Sequence, residues 1–174
     1  MWKWVVIGMH NAVHGFLALA LQRTDGLQLL TEKLERKKFD AWQRDDIEAA
    51  LAVDVRVDQF LSLYAKAKDP QRMGQYTTSR VLAPTQQQDA SVARLNRLRN
   101  EFSHYSDISL SVAVAELPGV VADCLDVIEF LVKLSGNVML YPFELSEQVE
   151  AFMDRIRHRI FDLNARFQVE PAIS

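Results

Sequence analysis

With 174 residues, 49% hydrophobic and 25% charged, the chain is long enough to bury a core of its own. A single cysteine excludes an internal disulfide and a cysteine-based metal cluster, and suits a reducing, cytoplasmic setting. Six glycines and five prolines punctuate too little for a β-sandwich or barrel, so helices are favoured. The net charge of −3 argues against a strongly basic nucleic-acid binder, but the charge is uneven. Between residues 66 and 104, Lys66, Lys68, Arg72, Arg80, Arg94, Arg97 and Arg99 face only Asp69, Asp89 and Glu101. That excess of four positive charges leaves −7 on the remainder and allows a local anion site.

In chain order, a first helix is expected over Trp2 to Arg23, with Gly26 at its end. Val6, Met9, Val13, Phe16, Leu17, Ala20 and Leu21 recur at three- and four-residue steps, which defines one apolar face. The segment is apolar enough to raise a membrane reading. Lys3, His10, Asn11 and His14 interrupt it, however, and each is costly in lipid. It reads as a buried helix with no membrane role, and no secretory leader is evident.

A short amphipathic helix is expected over Leu27 to Arg36 and a third over Asp45 to Lys66. Pro70, Gly74 and Pro84 mark residues 69–84 as a long, mobile internal loop without a domain boundary. A fourth helix opens at Thr85, whose spacing to Gln88 is that of a capping box, and continues to about Tyr105. Ile108, Leu110, Val112 and Val114 suggest a short extended stretch. Pro118 and Gly136 bracket a fifth helix. The sixth is expected from Ser146, a good N-cap, with Val149, Phe152, Met153, Ile156, Ile160, Leu163 and Phe167 as a near-heptad seam. The expected architecture is an all-α, single-domain bundle of five to six helices over residues 1–174.

The chemistry-bearing segment is Arg99-Asn100-Glu101-Phe102-Ser103-His104. With Leu95 at zero and about 100° per residue, Leu98, Phe102 and Tyr105 lie within about 80° on one side as a core stripe. Arg99, Ser103, Asn96, Asn100 and His104 fall at about 40°, 80°, 100°, 140° and 180° on the other. RNA carries its own nucleophile, the 2′-hydroxyl. Cleavage then needs a proton carrier, which suits His104, and a cation to hold the phosphate oxygens, which suits Arg99. Asn100 would orient either group. No metal or other cofactor is required.

This Arg-Asn-x-x-x-His pattern near the end of a helix resembles the signature of the HEPN superfamily. The residues five before His10, His14 and His158 are Val5, Met9 and Met153, so only His104 has the matching context. The resemblance implies a helical bundle that forms a homodimer and brings two motifs into one cleft. It also implies a metal-independent endoribonuclease with an RNA substrate, often a toxin paired with an antitoxin or a member of a defence system. Carried over by motif, Arg99 and His104 are catalytic and Asn100 supporting. Asn96, Ser103 and Arg97, with His14 and Asn11 from the first helix, are the expected RNA-lining residues. Some members carry a tyrosine two residues after the histidine, which a nucleotidyltransferase partner modifies. Here Ser106 holds that position and Tyr105 reads as core.

Other features have blander readings. His10 and His14, four apart, are better taken as hydrogen-bonding or site-lining histidines than as metal ligands. Arg155, Arg157 and Arg159 read as a solvated face, Cys124 as a packed thiol, and Trp2, Trp4 and Trp42 as core or interface residues able to stack on bases. The alternative function is a non-catalytic HEPN-like interaction or nucleotide-binding module that partners a nucleotidyltransferase. A helical assembly protein whose motif is only surface is the third.

Overall fold

The structure, a computed structural model, describes residues 2–54, 56–103 and 113–169, with side chains to 166. Among these residues there are eight α-helices and no strand. They are α1 (Trp2–Leu21), α2 (Glu32–Gln43), α3 (Ile47–Leu51), α4 (Phe60–Ala67), α5 (Pro70–Met73), α6 (Gln86–Ser103), α7 (Leu117–Glu129) and α8 (Phe143–Val169). The all-α expectation is met, with eight helices among the described residues where five to six are expected. The chain forms two compact units. The first comprises Met1–Val13, Pro84–Phe130 and Met139–Ser174, and the second His14–Ala83 and Leu131–Val138.

In the first unit, α6 opens on the capping box. Thr85 N–H donates to Gln88 Oε1 at 2.9 Å, and Gln88 N–H donates to Thr85 Oγ1 at 3.2 Å. The helix then buries Val92, Leu95 and Leu98 against α7, which contributes Leu117, Val121, Cys124, Leu125 and Ile128. Pro118 sits in the first turn of α7, where its missing N–H costs nothing. Helix α8 packs on α7 through Met153 and Ile160. Arg157 clamps the two helices by pairing with Asp126 at 2.7 Å and with Glu129. Partial burial works against its charge. The hydrogen bond and charge of Asp126, with Glu129, outweigh that and hold the guanidinium pKa above its ordinary value.

Helix α8 begins at Phe143 rather than at Ser146, which lies inside it. Pro142 cannot extend a helix backwards but readily precedes one. Leu145 N–H donates to Pro142 O at 2.9 Å, and Glu144 places a negative charge in the first turn.

The second unit departs further from periodicity. The expected Leu27–Arg36 helix is a single 3₁₀ turn, Leu27–Leu29, followed by α2. The expected Asp45–Lys66 helix is two helices, α3 and α4, with a break between them. Valines at 53, 55 and 57 alternate with Asp54, Arg56 and Asp58, a period of two that disfavours a helix. Leu30 and Val57 form an isolated antiparallel bridge there, and Asp58 N–H donates to Leu29 O at 2.7 Å.

Residues 69–84 include α5, capped by Asp69, whose carboxylate accepts from Gln71 N–H at 2.8 Å. The rest of this segment is tied down rather than free. Gln75 Nε2 donates to Ala20 O, Arg80 N–H to Ser135 O, and Leu82 N–H to Ala67 O. A π-helical turn, Phe130–Leu134, continues from α7, and Gly136, at φ +72° with Thr78 O 2.9 Å from where a Cβ would sit, follows its end.

Buried carbonyls in this unit are met by side chains. Lys66 Nζ reaches Asp58 Oδ2 at 2.8 Å, Leu30 O at 2.5 Å and Gln28 O at 3.2 Å, so each ammonium proton has an acceptor. Asn137 Nδ2 donates to Ala20 O at 3.1 Å and Met73 O at 2.8 Å, while its Oδ1 accepts from Ser79 Oγ at 2.5 Å.

Helix α1 runs through both units. By length and composition alone it could cross a membrane. Val6, Met9, Val13, Leu17, Ala20 and Leu21 are buried inside the protein, while Asn11 is exposed.

Candidate functional site

The expected site lies on α6. Leu95 and Leu98 are fully buried, so the opposite side of the helix must face outward. Arg97, Asn100 and Ser103 are exposed, and Asn96 and Arg99 are half-buried. Arg99 Nη1 donates to Asn100 Oδ1 at 3.0 Å, which braces the guanidinium on its neighbour and leaves its remaining donors unspent on carboxylates. Among the described residues Arg99 makes no ion pair. His104 and Tyr105 lie outside the described residues, as do Ile108, Leu110 and Val112 of the expected extended stretch. Helix α6 is described as far as Ser103, immediately before His104.

Helix α1 contributes differently than its i, i+4 histidine spacing suggests. His10, in the first unit, is buried and its Nε2–H donates to Asn96 Oδ1 at 3.2 Å. Asn96 is thereby turned toward the protein and positioned by α1. Asn11 is exposed. His14 belongs to the second unit, where its Nε2–H donates to Asp58 O at 3.2 Å and its ring meets Phe60 edge-on. Both imidazoles therefore serve as hydrogen-bonding side chains. Among the described residues no group of three His, Cys, Asp or Glu side chains is placed to hold a metal.

The basic stretch is less available than its charge count suggests. Lys66 is buried on Asp58, and Arg72 pairs with Glu35. Each spends its charge inside the second unit. On α6 Arg97 is exposed, and Arg94 and Arg99 are both half-buried.

The first unit also carries an apolar groove of about 560 Å³ along α1, α7 and α8. Gly8 and Ala12 belong to it, and nothing lies within 4 Å of a Cβ built on Gly8. Trp4, Phe152, Ile156 and Leu163 also line it, with Arg159 as its one charged residue. Trp4 at 72% and Phe161 at 71% exposure leave large apolar surface on the same helices, a cost that a covering partner would remove. The near-heptad seam of α8 is thus only partly used within the chain. Met153 and Ile160 are buried, Val149, Ile156 and Leu163 are half-buried, and Phe152 is exposed.

Cys124 is buried in α7, and burial, then the neighbouring Asp123 charge, pushes its thiol pKa up to about 12. At neutral pH it is an inert packing group. No protein-family model matches the chain, and neither a curated protein nor a solved structure matches it.

Proposed function

We propose that the chain is a metal-independent endoribonuclease of the HEPN kind, with a site completed by a second copy of itself. The observation that carries the reading is Arg99. It is an accessible guanidinium, braced by Asn100 and without an ion pair among the described residues, on the turn that leads directly to His104 in the chain. In the reaction, His104 takes the proton of an RNA 2′-hydroxyl as the O2′–phosphorus bond forms. The phosphorus–O5′ bond breaks, and the leaving oxygen receives a proton from a second imidazole. One chain has a single histidine in this motif, so the second is supplied by the His104 of a symmetry mate. Arg99 holds the non-bridging oxygens as charge grows on them. The products are a 2′,3′-cyclic phosphate and a 5′-hydroxyl.

The apolar groove and the exposed Phe161 support self-association, since a symmetric pair would cover both. A cytoplasmic toxin or defence role, with an antitoxin or nucleotidyltransferase as partner, follows from the same resemblance. RNA incubated with the protein in excess chelator tests the proposal. Wild type cuts and leaves cyclic-phosphate ends, and His104→Ala and Arg99→Gln each lower the rate by roughly 10²-fold or more. Equal cleavage by wild type and His104→Ala would remove the mechanism.

The groove alone favours a second reading, a non-catalytic interaction module. Stable capture of a nucleotidyltransferase, with no cleavage of any RNA by wild type, would select it.

A further inference from the structure

The second unit holds a separate pocket of about 460 Å³, lined by Arg23, Thr24, Asp25, Trp42, Gln75 and Tyr76. Its chemistry differs from that of the apolar groove. Arg23 is half-buried, and Nη2 makes two long contacts of 3.4 Å, to Gln71 O and Arg72 O. Its Nε is buried with no hydrogen-bond partner, and among the described residues the guanidinium has no ion pair. Arg72, in the same unit, satisfies its own guanidinium with Glu35 and Gln28. Asp25 lines the pocket with Arg23, yet its carboxylate is turned to Leu27 N–H at 3.0 Å. A partly desolvated cation left in this condition costs free energy that an anion entering the pocket would repay.

The walls suit a flat ring. Trp42 lines the pocket at 36% exposure and Tyr76 at 63%. Lys38 Nζ sits 5.1 Å from the Trp42 ring and donates to Asp25 O at 3.0 Å, so a second cation stands by the aromatic wall. The frame is fixed before any ligand arrives. Gln75 Nε2 donates to Ala20 O at 2.9 Å, and Tyr76 N–H donates to Ser79 Oγ at 2.8 Å. An arginine without an ion pair among the described residues, two aromatic rings, and a carboxylate and hydroxyl able to meet ribose or amino groups form a complementary set.

We infer that this pocket binds a nucleotide, with its phosphate on Arg23 and its base against Trp42 and Tyr76. The occupant is either a free mononucleotide or one unit of a single RNA strand. The inference is carried by the second unit alone and stands whether or not α6 cuts RNA.

Calorimetric titration of the full chain with AMP, UMP, adenosine, inorganic phosphate and a five-nucleotide RNA tests it. AMP or UMP should bind more tightly than adenosine or phosphate alone. Arg23→Gln should weaken that binding at least tenfold, Arg23→Lys less, and Trp42→Leu or Tyr76→Ala severalfold. Tyr76 is largely exposed, so Tyr76→Ala still reports if the Arg23 variants fold poorly. RNA bound more tightly than AMP, with the same dependence on Arg23, identifies a strand unit; equal or weaker RNA binding identifies the free nucleotide. No binding of AMP, UMP or RNA at millimolar concentration, or binding indifferent to Arg23→Gln and Tyr76→Ala, would overturn the inference. So would phosphate binding as tightly as AMP.

Discussion

The two units solve the same problem, burying a chain, by different chemistry. In the first, α6, α7 and α8 are long enough to satisfy most of their own backbone, so their contacts are built from Leu, Val and Ile. In the second, α3, α4 and α5 span five, eight and four residues, and the carbonyls of Ala20, Gln28, Leu30 and Met73, at helix ends and in the 3₁₀ turn, accept from side chains. Lys66 and Asn137 meet those carbonyls directly. Irregular buried backbone demands polar side chains, whereas long helices permit an apolar core. The contrast also explains why the two candidate binding surfaces differ. The first unit offers an apolar groove and an outward polar helix face, and the second a pocket whose guanidinium has no ion pair among the described residues.

The sharpest way to break this comparison is at Lys66. Lys66→Met leaves Asp58 and two carbonyls buried without their donor and should cost about 3–5 kcal/mol in urea unfolding. A loss below about 1 kcal/mol would show that the second unit does not depend on its polar hub. A smaller effect is expected in the first unit at Thr85. Thr85→Ala removes one half of the capping box and should cost about 1 kcal/mol by the same measurement.

Cys124 should give the weakest signal at neutral pH. A thiol reagent at pH 8 should leave it unmodified in the folded protein and modify it at once in denaturant. Because its folded pKa is raised from 9.0 to about 12, the stability tied to the protonated thiol is complete below about pH 9. It is lost as pH climbs toward 12, so the urea midpoint of wild type should fall more steeply over that range than that of Cys124→Ala. Rapid native labelling would mean that the first unit's core is wet.

Periodicity was most reliable where local signals and packing agree. Thr85 and Gln88, Pro118 and Gly136 each act on backbone at or near their own position in the chain, and each appears where its chemistry predicts. The outward placement of Arg97, Asn100 and Ser103 followed from Leu95 and Leu98 by helical geometry alone. Boundaries failed where a nonlocal bond competed with helix propensity. Val57, in the valine alternation before Asp58, bridges to Leu30, which is remote in sequence, so helical periodicity alone does not register the break. Ser146 is a good cap by type, but Pro142 starts the helix a turn earlier.

The amino-acid sequence alone determined the helical class, the two faces of α6 and the caps that set its register, since these depend on neighbours a few residues apart. Tertiary structure decided which charges are spent. Lys66 and Arg72 are consumed by Asp58 and Glu35, whereas Arg23 and Arg99 lack ion pairs among the described residues. Charge is written in the chain, but its availability depends on which remote carboxylate or carbonyl folding brings within hydrogen-bond reach.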